Sequence, residues 1–243
     1  QILPSCGFFY LLYSSDSKNE INRCSFINNS IYGYIYDWQT KISYDILFEG
    51  GAISTSSKLI DSIFINNTIK VSCYFTNSPN ELHISLKGAA VNYYITKNDY
   101  YNCSFQNNTL YVDNPDNTQS YTSNSLIVNI KGGIIMADMN FSDCSFINNT
   151  VYSFISNCII QGGEFYIRMI YLNNCCFINN SIYINADDLS ITGGIMYVES
   201  SANLNNCIFN NNCCNHRGKN NLYINGIFYF GGNQIYRFNN CDF

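Results

Sequence analysis

Cys144-Ser145-Phe146-Ile147-Asn148-Asn149-Thr150 is the most telling stretch of this chain, because the chain repeats it. The same phrase runs Cys24–Ser30, Cys103–Thr109 and Cys175–Ser181. A copy without the cysteine runs Ser62–Thr68, a worn copy runs Cys207–Asn212, and Cys241-Asp242-Phe243 begins another. Its phenylalanine falls at Phe26, Phe64, Phe105, Phe146, Phe177, Phe209 and Phe243, in steps of 38, 41, 41, 31, 32 and 34 residues. A period of this size marks one supersecondary unit stacked on copies of itself.

A second phrase alternates with the first. Glycine and small or branched apolar residues recur at Gly50–Ile53, Gly88–Val91, Gly132–Ile135, Gly162–Phe165, Gly193–Met196 and Gly226–Tyr229, with Gly7–Tyr10 as a degraded first member. Glycine suits a corner that needs positive φ or close backbone approach. Each unit then offers three short β-like stretches: one after the glycines, one at Cys-x-Phe and one after Asn-Asn-Ser/Thr. The third is read at Ile31–Tyr36, Ile69–Tyr74, Leu110–Val112, Val151–Ile155, Ile182–Ile184 and Leu222–Ile224. None has the length or period of an amphipathic helix. The expected fold is all-β: a single right-handed parallel β-helix of about seven coils with three short strands per coil. It forms one domain over 1–243, with longer coils over 1–131 and compact coils over 132–243.

Stacked coils lie at the ordinary strand spacing of about 4.8 Å, so equivalent residues form ladders. The phenylalanines above make one ladder. Cys24, Cys103, Cys144, Cys175, Cys207 and Cys241 make a second on the same inward face. Asn29, Asn67, Asn108, Asn149, Asn180 and Asn212 make a third at the corner. Asparagine tolerates left-handed backbone there, and its amide can bond the amides above and below.

Composition excludes some functions. Hydrophobic residues are 47%, charged residues only 12%, and the net charge is −5, so the basic face of a nucleic-acid binder is not expected. No apolar run approaches the ~18 residues of a membrane-spanning helix. The chain opens on Gln1 without a basic leader, which reads as a mature or excised form.

Gly-Gly-Ala-Ile at Gly50–Ile53 paired with Phe-x-x-Asn at Phe64–Asn67, and the equivalent pairs in every unit, resemble the repeats of the chlamydial polymorphic outer-membrane proteins. The resemblance covers essentially the whole chain. It implies a right-handed β-helix displayed at a cell surface as an adhesin or passenger domain. Gly88-Ala89 departs mildly from that pattern. No membrane barrel is visible in the sequence, so an anchor is not carried over.

Twelve cysteines invite a disulfide reading. For the ladder cysteines, stacked Cβ atoms near 4.8 Å are too far apart for a disulfide's ~3.8 Å, so inward free thiols are expected. The pairing of Cys6, Cys73, Cys158, Cys176, Cys213 and Cys214 is left open. Two histidines and no Cys-x-x-Cys argue against zinc; no metal and no cofactor are expected. The Asn-Asn-Ser/Thr phrase also writes N-glycosylation sequons at Asn28, Asn66, Asn107, Asn148 and Asn179, and Asn102 and Asn140 add two more. They read either as glycan sites of a secreted protein or as a by-product of corner chemistry.

Two surfaces are candidates for binding. Just after each Asn-Asn corner, an outward position reads Tyr32, Lys70, Tyr111, Tyr152, Tyr183 and Tyr223. Aromatics in a row can hold sugar rings or a protein, or they can stack on one another and stabilise the sheet. Insertions around Asp37–Asp45, Thr76–His83 and Asp113–Ser125 cluster on one edge, where repeat proteins often bind, or else they are drift. Parallel β-helices also host pectate lyases and polygalacturonases, which need clustered carboxylates with basic partners. Asp187 and Asp188 are adjacent and point to opposite faces, Asp138 and Asp143 lack a basic neighbour, and His83 and His216 are far apart. No enzyme activity is expected. The expected role is an adhesin-like display scaffold outside the cell or on its surface, bound to a protein or glycan. The alternative is a filament subunit that self-associates end to end.

Overall fold

A computed structural model describes residues 20–36, 44–49, 51–54, 58–74, 82–92, 98–114, 126–136, 139–155, 157–186, 188–217, 222–231 and 236–243. Every strand pairing in it is parallel, and among the described residues there is no helix. The chain is a parallel β-helix. Four sheets run along its axis: one of eleven strands and three of six. The order within each six-stranded sheet advances four or five strands at a time, so each neighbour is one coil further along.

The three expected stretches are all present. The phenylalanine sheet is Ser25–Ile27, Ile63–Ile65, Ser104–Gln106, Ser145–Ile147, Cys176–Ile178 and Ile208–Asn210. Register puts Phe26 on Phe64, Phe64 on Phe105, Phe105 on Phe146, Phe146 on Phe177 and Phe177 on Phe209. Phe243 completes the column, stacked on Phe209 at 4.9 Å. Ring centroids are 4.6–5.0 Å apart along it, which is the strand spacing itself. Each buried ring contributes about 2–3 kcal/mol by leaving water, and each stack about 0.5–1.5 kcal/mol more.

A further strand lies before each glycine corner: Tyr44–Glu49, Leu82–Lys87, Leu126–Lys131, Asn157–Gln161, Asp188–Thr192 and Leu222–Asn225. Its inward positions are apolar: Ile84 and Leu86, Val128 and Ile130, Cys158 and Ile160, Leu189 and Ile191, all buried. Gly88, Gly132, Gly162 and Gly193 then turn the chain with φ between 53° and 60°. A Cβ at any of them would run into the main chain three residues on, so the corner requires glycine twice over. In the first coil Gly33 stands where Val71 stands in the next, and the Phe48 ring fills the volume the missing side chain leaves.

The Asn-Asn corner divides its labour between two residues. Left-handed backbone falls on the first asparagine: Asn28, Asn66, Asn107, Asn148 and Asn179 have φ of 53–58°. The ladder belongs to the second. Asn67, Asn108, Asn149 and Asn180 are fully buried, and each amide donates to the next ladder asparagine at 2.9–3.1 Å. The sequence reading gave both tasks to one residue. A second left-handed corner precedes the cysteine, at Arg23, Asp61, Asn102, Asp143, Asn174, Asn206 and Asn240.

The cysteine ladder consists of free thiols. Cys103, Cys144, Cys175 and Cys207 are buried; Cys24 and Cys241, in the first and last described coils, are half-buried. Each thiol donates to the carbonyl two residues back, as Cys144 Sγ does to Ser142 at 3.3 Å. Ser62 occupies the same position in the copy without cysteine and makes the same bond, to Ile60 at 2.8 Å. Cys144→Ser is therefore expected to fold with a stability change within about 1 kcal/mol, read by thermal melting. A large loss would show that the site demands sulfur for its packing volume. Cys73 and Cys158 lie on other inward faces, and burial pushes both thiols up to about 12.

The insertions expected at Asp37–Asp45, Thr76–His83 and Asp113–Ser125 fall largely outside the described residues, which take in only their strand ends. Gly7–Tyr10, Asp138 and Asp187 fall outside them as well.

Candidate functional site

The strands after the Asn-Asn corner build a second six-stranded sheet: Ser30–Tyr36, Thr68–Tyr74, Thr109–Asp113, Thr150–Phe154, Ser181–Asn185 and Cys213–Arg217. Side chains alternate in a strand, so Ile69, Val71, Leu110, Val112 and Val151 go to the core while the residues between them face out. Register lines up Tyr32, Lys70, Tyr111, Tyr152 and Tyr183, as expected. The column then continues to Asn215, not to Tyr223. Tyr223 sits one sheet further on, in register with Ser190. The placement of Leu222–Ile224 after the Asn-Asn corner is corrected in the same way. The worn copy Asn211-Asn212 is followed directly by Cys213-Cys214-Asn215-His216-Arg217, a strand too polar to be recognised by alternation.

The face is wider than one column. Tyr34 and Phe154 also point outward, and Tyr34 stacks near Tyr74 at 6.5 Å. Tyr152 stacks on Tyr183 at 5.2 Å with planes 13° apart, and Phe154 lies 5.8 Å from Tyr111 and 6.3 Å from Tyr152. Lys70 Nζ lies 4.9 Å from the Tyr111 ring centroid, a cation–π contact that keeps the column continuous where tyrosine is missing. Partial burial raises the Tyr111 phenol above its ordinary value, and Asp113 beside it adds to this. The rings thus stabilise one another and still present their edges: Tyr32 is 60% exposed and Tyr183 38%.

The sequon asparagines fall into two settings. Asn28, Asn66, Asn107, Asn148 and Asn179 line the first corner and Asn102 the second, all exposed. Asn66 Nδ2 donates to Asn28 at 3.1 Å, and Asn102 Nδ2 to Asp61 at 2.9 Å. Asn140 differs: it is half-buried within a strand and donates to Asp99 at 2.8 Å.

No protein-family model, curated protein or solved structure matches this chain. Among the described residues no group of three or more His, Cys, Asp or Glu side chains is placed to hold a metal ion, and no helix is long and apolar enough to cross a membrane.

A cavity that the sequence reading missed lies at the glycine corner. Its volume is about 520 Å³, and Ser85, Lys87, Asn129 and Lys131 line it from the strands before the glycines. Asn92, Met136 and Tyr166 line it from the strands after. The signal was present in Ile84-Ser85-Leu86-Lys87-Gly88 and Val128-Asn129-Ile130-Lys131-Gly132, where apolar and polar residues alternate up to the glycine.

Proposed function

We propose that this chain is a non-enzymatic binding and display domain, carried outside the cell or on its surface, whose tyrosine face engages a protein or a glycan. The carrying observation is the exposed aromatic face, held in register by the sheet beneath it. Rigid aromatic rings in a fixed row give large contact area at little entropic cost, which is how tyrosine-rich recognition surfaces work. The alternation of Gly-Gly-Ala-Ile with Phe-x-x-Asn resembles the chlamydial polymorphic outer-membrane protein repeats, and that resemblance supports this reading. The reading assigns no cofactor and no catalytic step.

The test is binding of the purified chain to a glycan array and to cell-surface extracts. Tyr152→Ala and Tyr32→Ala are each expected to weaken binding by tenfold or more, as truncation of an aromatic anchor does. Undiminished binding by both variants would remove the tyrosine face from the reading.

A second reading is end-to-end self-association. Each coil pairs with the next through parallel strands, and the strand edges of one coil accept those of another, whichever chain supplies it. Fibres one coil wide under the electron microscope would favour it; dispersed single particles would count against it.

A further inference from the structure

The cavity at the glycine corner is built from two adjacent coils and one ring of a third. Lys131 lies in register on Lys87, and Asn129 on Ser85, so two ammonium groups and two hydrogen-bonding side chains rise along one wall. Gly88 and Gly132, with φ of 58° and 53°, fold the following strands back so that Asn92 and Met136, also in register, form the other wall. Tyr166 follows Met136 in the next coil, and Lys131 Nζ lies 5.4 Å from its ring centroid. None of the described residues that line the cavity is acidic. Glu49 holds the position of Lys87 one coil earlier.

Asn92 supplies the second observation. Only 8% of it is exposed, and its amide oxygen is buried without a hydrogen-bond partner. A buried amide left in that state costs about 1–3 kcal/mol and needs a local reason. An amide that turns toward an incoming ligand recovers its bond, and lining the cavity puts Asn92 in position to do so.

We propose that this cavity binds an acidic sugar unit, one bearing a carboxylate or a sulfate. The two lysines match the anion, and ammonium–anion hydrogen bonds are the strong ones. Ser85, Asn92 and Asn129 offer donors and acceptors for ring hydroxyls. Met136 and Tyr166 give an apolar surface for the C–H face of a pyranose. A few convergent polar groups against an apolar floor, in a volume of several hundred Å³, is the usual form of a small-ligand site. This site lies apart from the tyrosine face and stands whether or not that face binds anything.

The experiment is titration of the folded chain, by calorimetry and by NMR shift perturbation, with four probes: a digalacturonate, a sulfated disaccharide, a neutral disaccharide and sodium sulfate. The expected result is binding of one or both acidic sugars, tenfold or more weaker in Lys131→Gln and in Lys87→Gln, and weaker at high salt. The stronger of the two acidic probes then identifies the anion. Lys131→Arg is expected to restore much of the binding. The proposal is overturned if the neutral sugar binds equally well, if sodium sulfate binds as tightly as either sugar, if the lysine variants bind as the parent does, or if no acidic probe binds.

Discussion

Asn149→Ala is expected to cost about 4 kcal/mol and to lower the melting temperature by roughly 10–15 °C. The side chain is fully buried in the middle of the stack. Its Nδ2 donates to Asn180 Oδ1 at 3.1 Å and to the Phe105 carbonyl at 3.0 Å. Its Oδ1 accepts from the main-chain N–H and the side-chain amide of Asn108, both at 3.0 Å. Alanine removes all four bonds and leaves the Asn108 donors facing a void too apolar to satisfy them. Each stranded buried group costs about 1–3 kcal/mol, so the losses together exceed those of an ordinary surface change. Two controls separate this mechanism from a general intolerance of substitution. Asn148→Gly, one residue earlier, is exposed and left-handed with φ 54°, so glycine there is expected to change stability by no more than about 0.5 kcal/mol. Asn212→Ala is expected to cost less than Asn149→Ala, because Asn212 is half-buried and loses three bonds rather than four: one donation to the Phe177 carbonyl and two acceptances from Asn180. Melting curves of the three variants decide it. An Asn149→Ala protein that melts within two degrees of the parent would show that the amide column is ornament and that the phenylalanine column alone fixes the register.

The repeat was legible because its strongest residues do their work within a single short phrase. Phe146 and Asn149 are three residues apart, and both recur at every coil, so spacing alone placed them on one ladder each. Three other features were harder to read. The first left-handed corner shares a dipeptide with the ladder, and Asn148 and Asn149 cannot be told apart by composition; only the alternation of outward and inward positions separates the strained residue from the buried one. The corner before the cysteine was readable in principle, since Asp or Asn precedes that position in every copy except the first, where Arg23 stands. The strands before the glycines are flanked in the early coils by long polar stretches, and those stretches drew the reading toward loops. Ile84, Leu86, Val128 and Ile130 nevertheless carry a two-residue period. Tyr223 lies off the column for a related reason: with Ser/Thr lost after Asn212, the next apolar run mimics the strand that Cys213–Arg217 forms. Degeneracy in one copy shifts every later assignment within its coil, while the next phenylalanine restores the count.

Glu164 is expected to make this chain more stable in mild acid than at alkaline pH. It follows Gly162-Gly163 at the position that Ile134 and Ile195 occupy in the neighbouring coils, as the main-chain bonds between these three residues show. It is fully buried, and neither carboxyl oxygen has a hydrogen-bond partner. Burial pushes its carboxyl well above the usual range, and the Cys213 thiol adds to this. Cys214 and Ser181 also lie beside it. The Ser181 main-chain N–H, which would favour the anion, already donates to the Asn149 carbonyl at 3.0 Å. In the unfolded chain the same group titrates near its ordinary value of about 4.3. Between that value and the raised folded one, the folded state holds more protons than the unfolded state, so stability falls as pH climbs through the interval. Below the unfolded value the contribution is fully present; above the folded value it is gone. Glu164→Gln is expected to flatten this part of the profile, because a neutral amide has nothing to titrate. Glu164→Ile, which copies the neighbouring coils, is expected to stabilise the chain at pH 8 by about 1–4 kcal/mol, the usual gain when a buried ionisable group gives way to a well-packed apolar one. At pH 4 the same replacement is expected to gain less, since the acid there is already neutral. Denaturant unfolding of the parent and both variants across pH 4–8 measures all of this. A parent and a Glu164→Gln variant that lose stability in parallel would mean that another group drives the pH dependence and that Glu164 finds a partner the fold does not show.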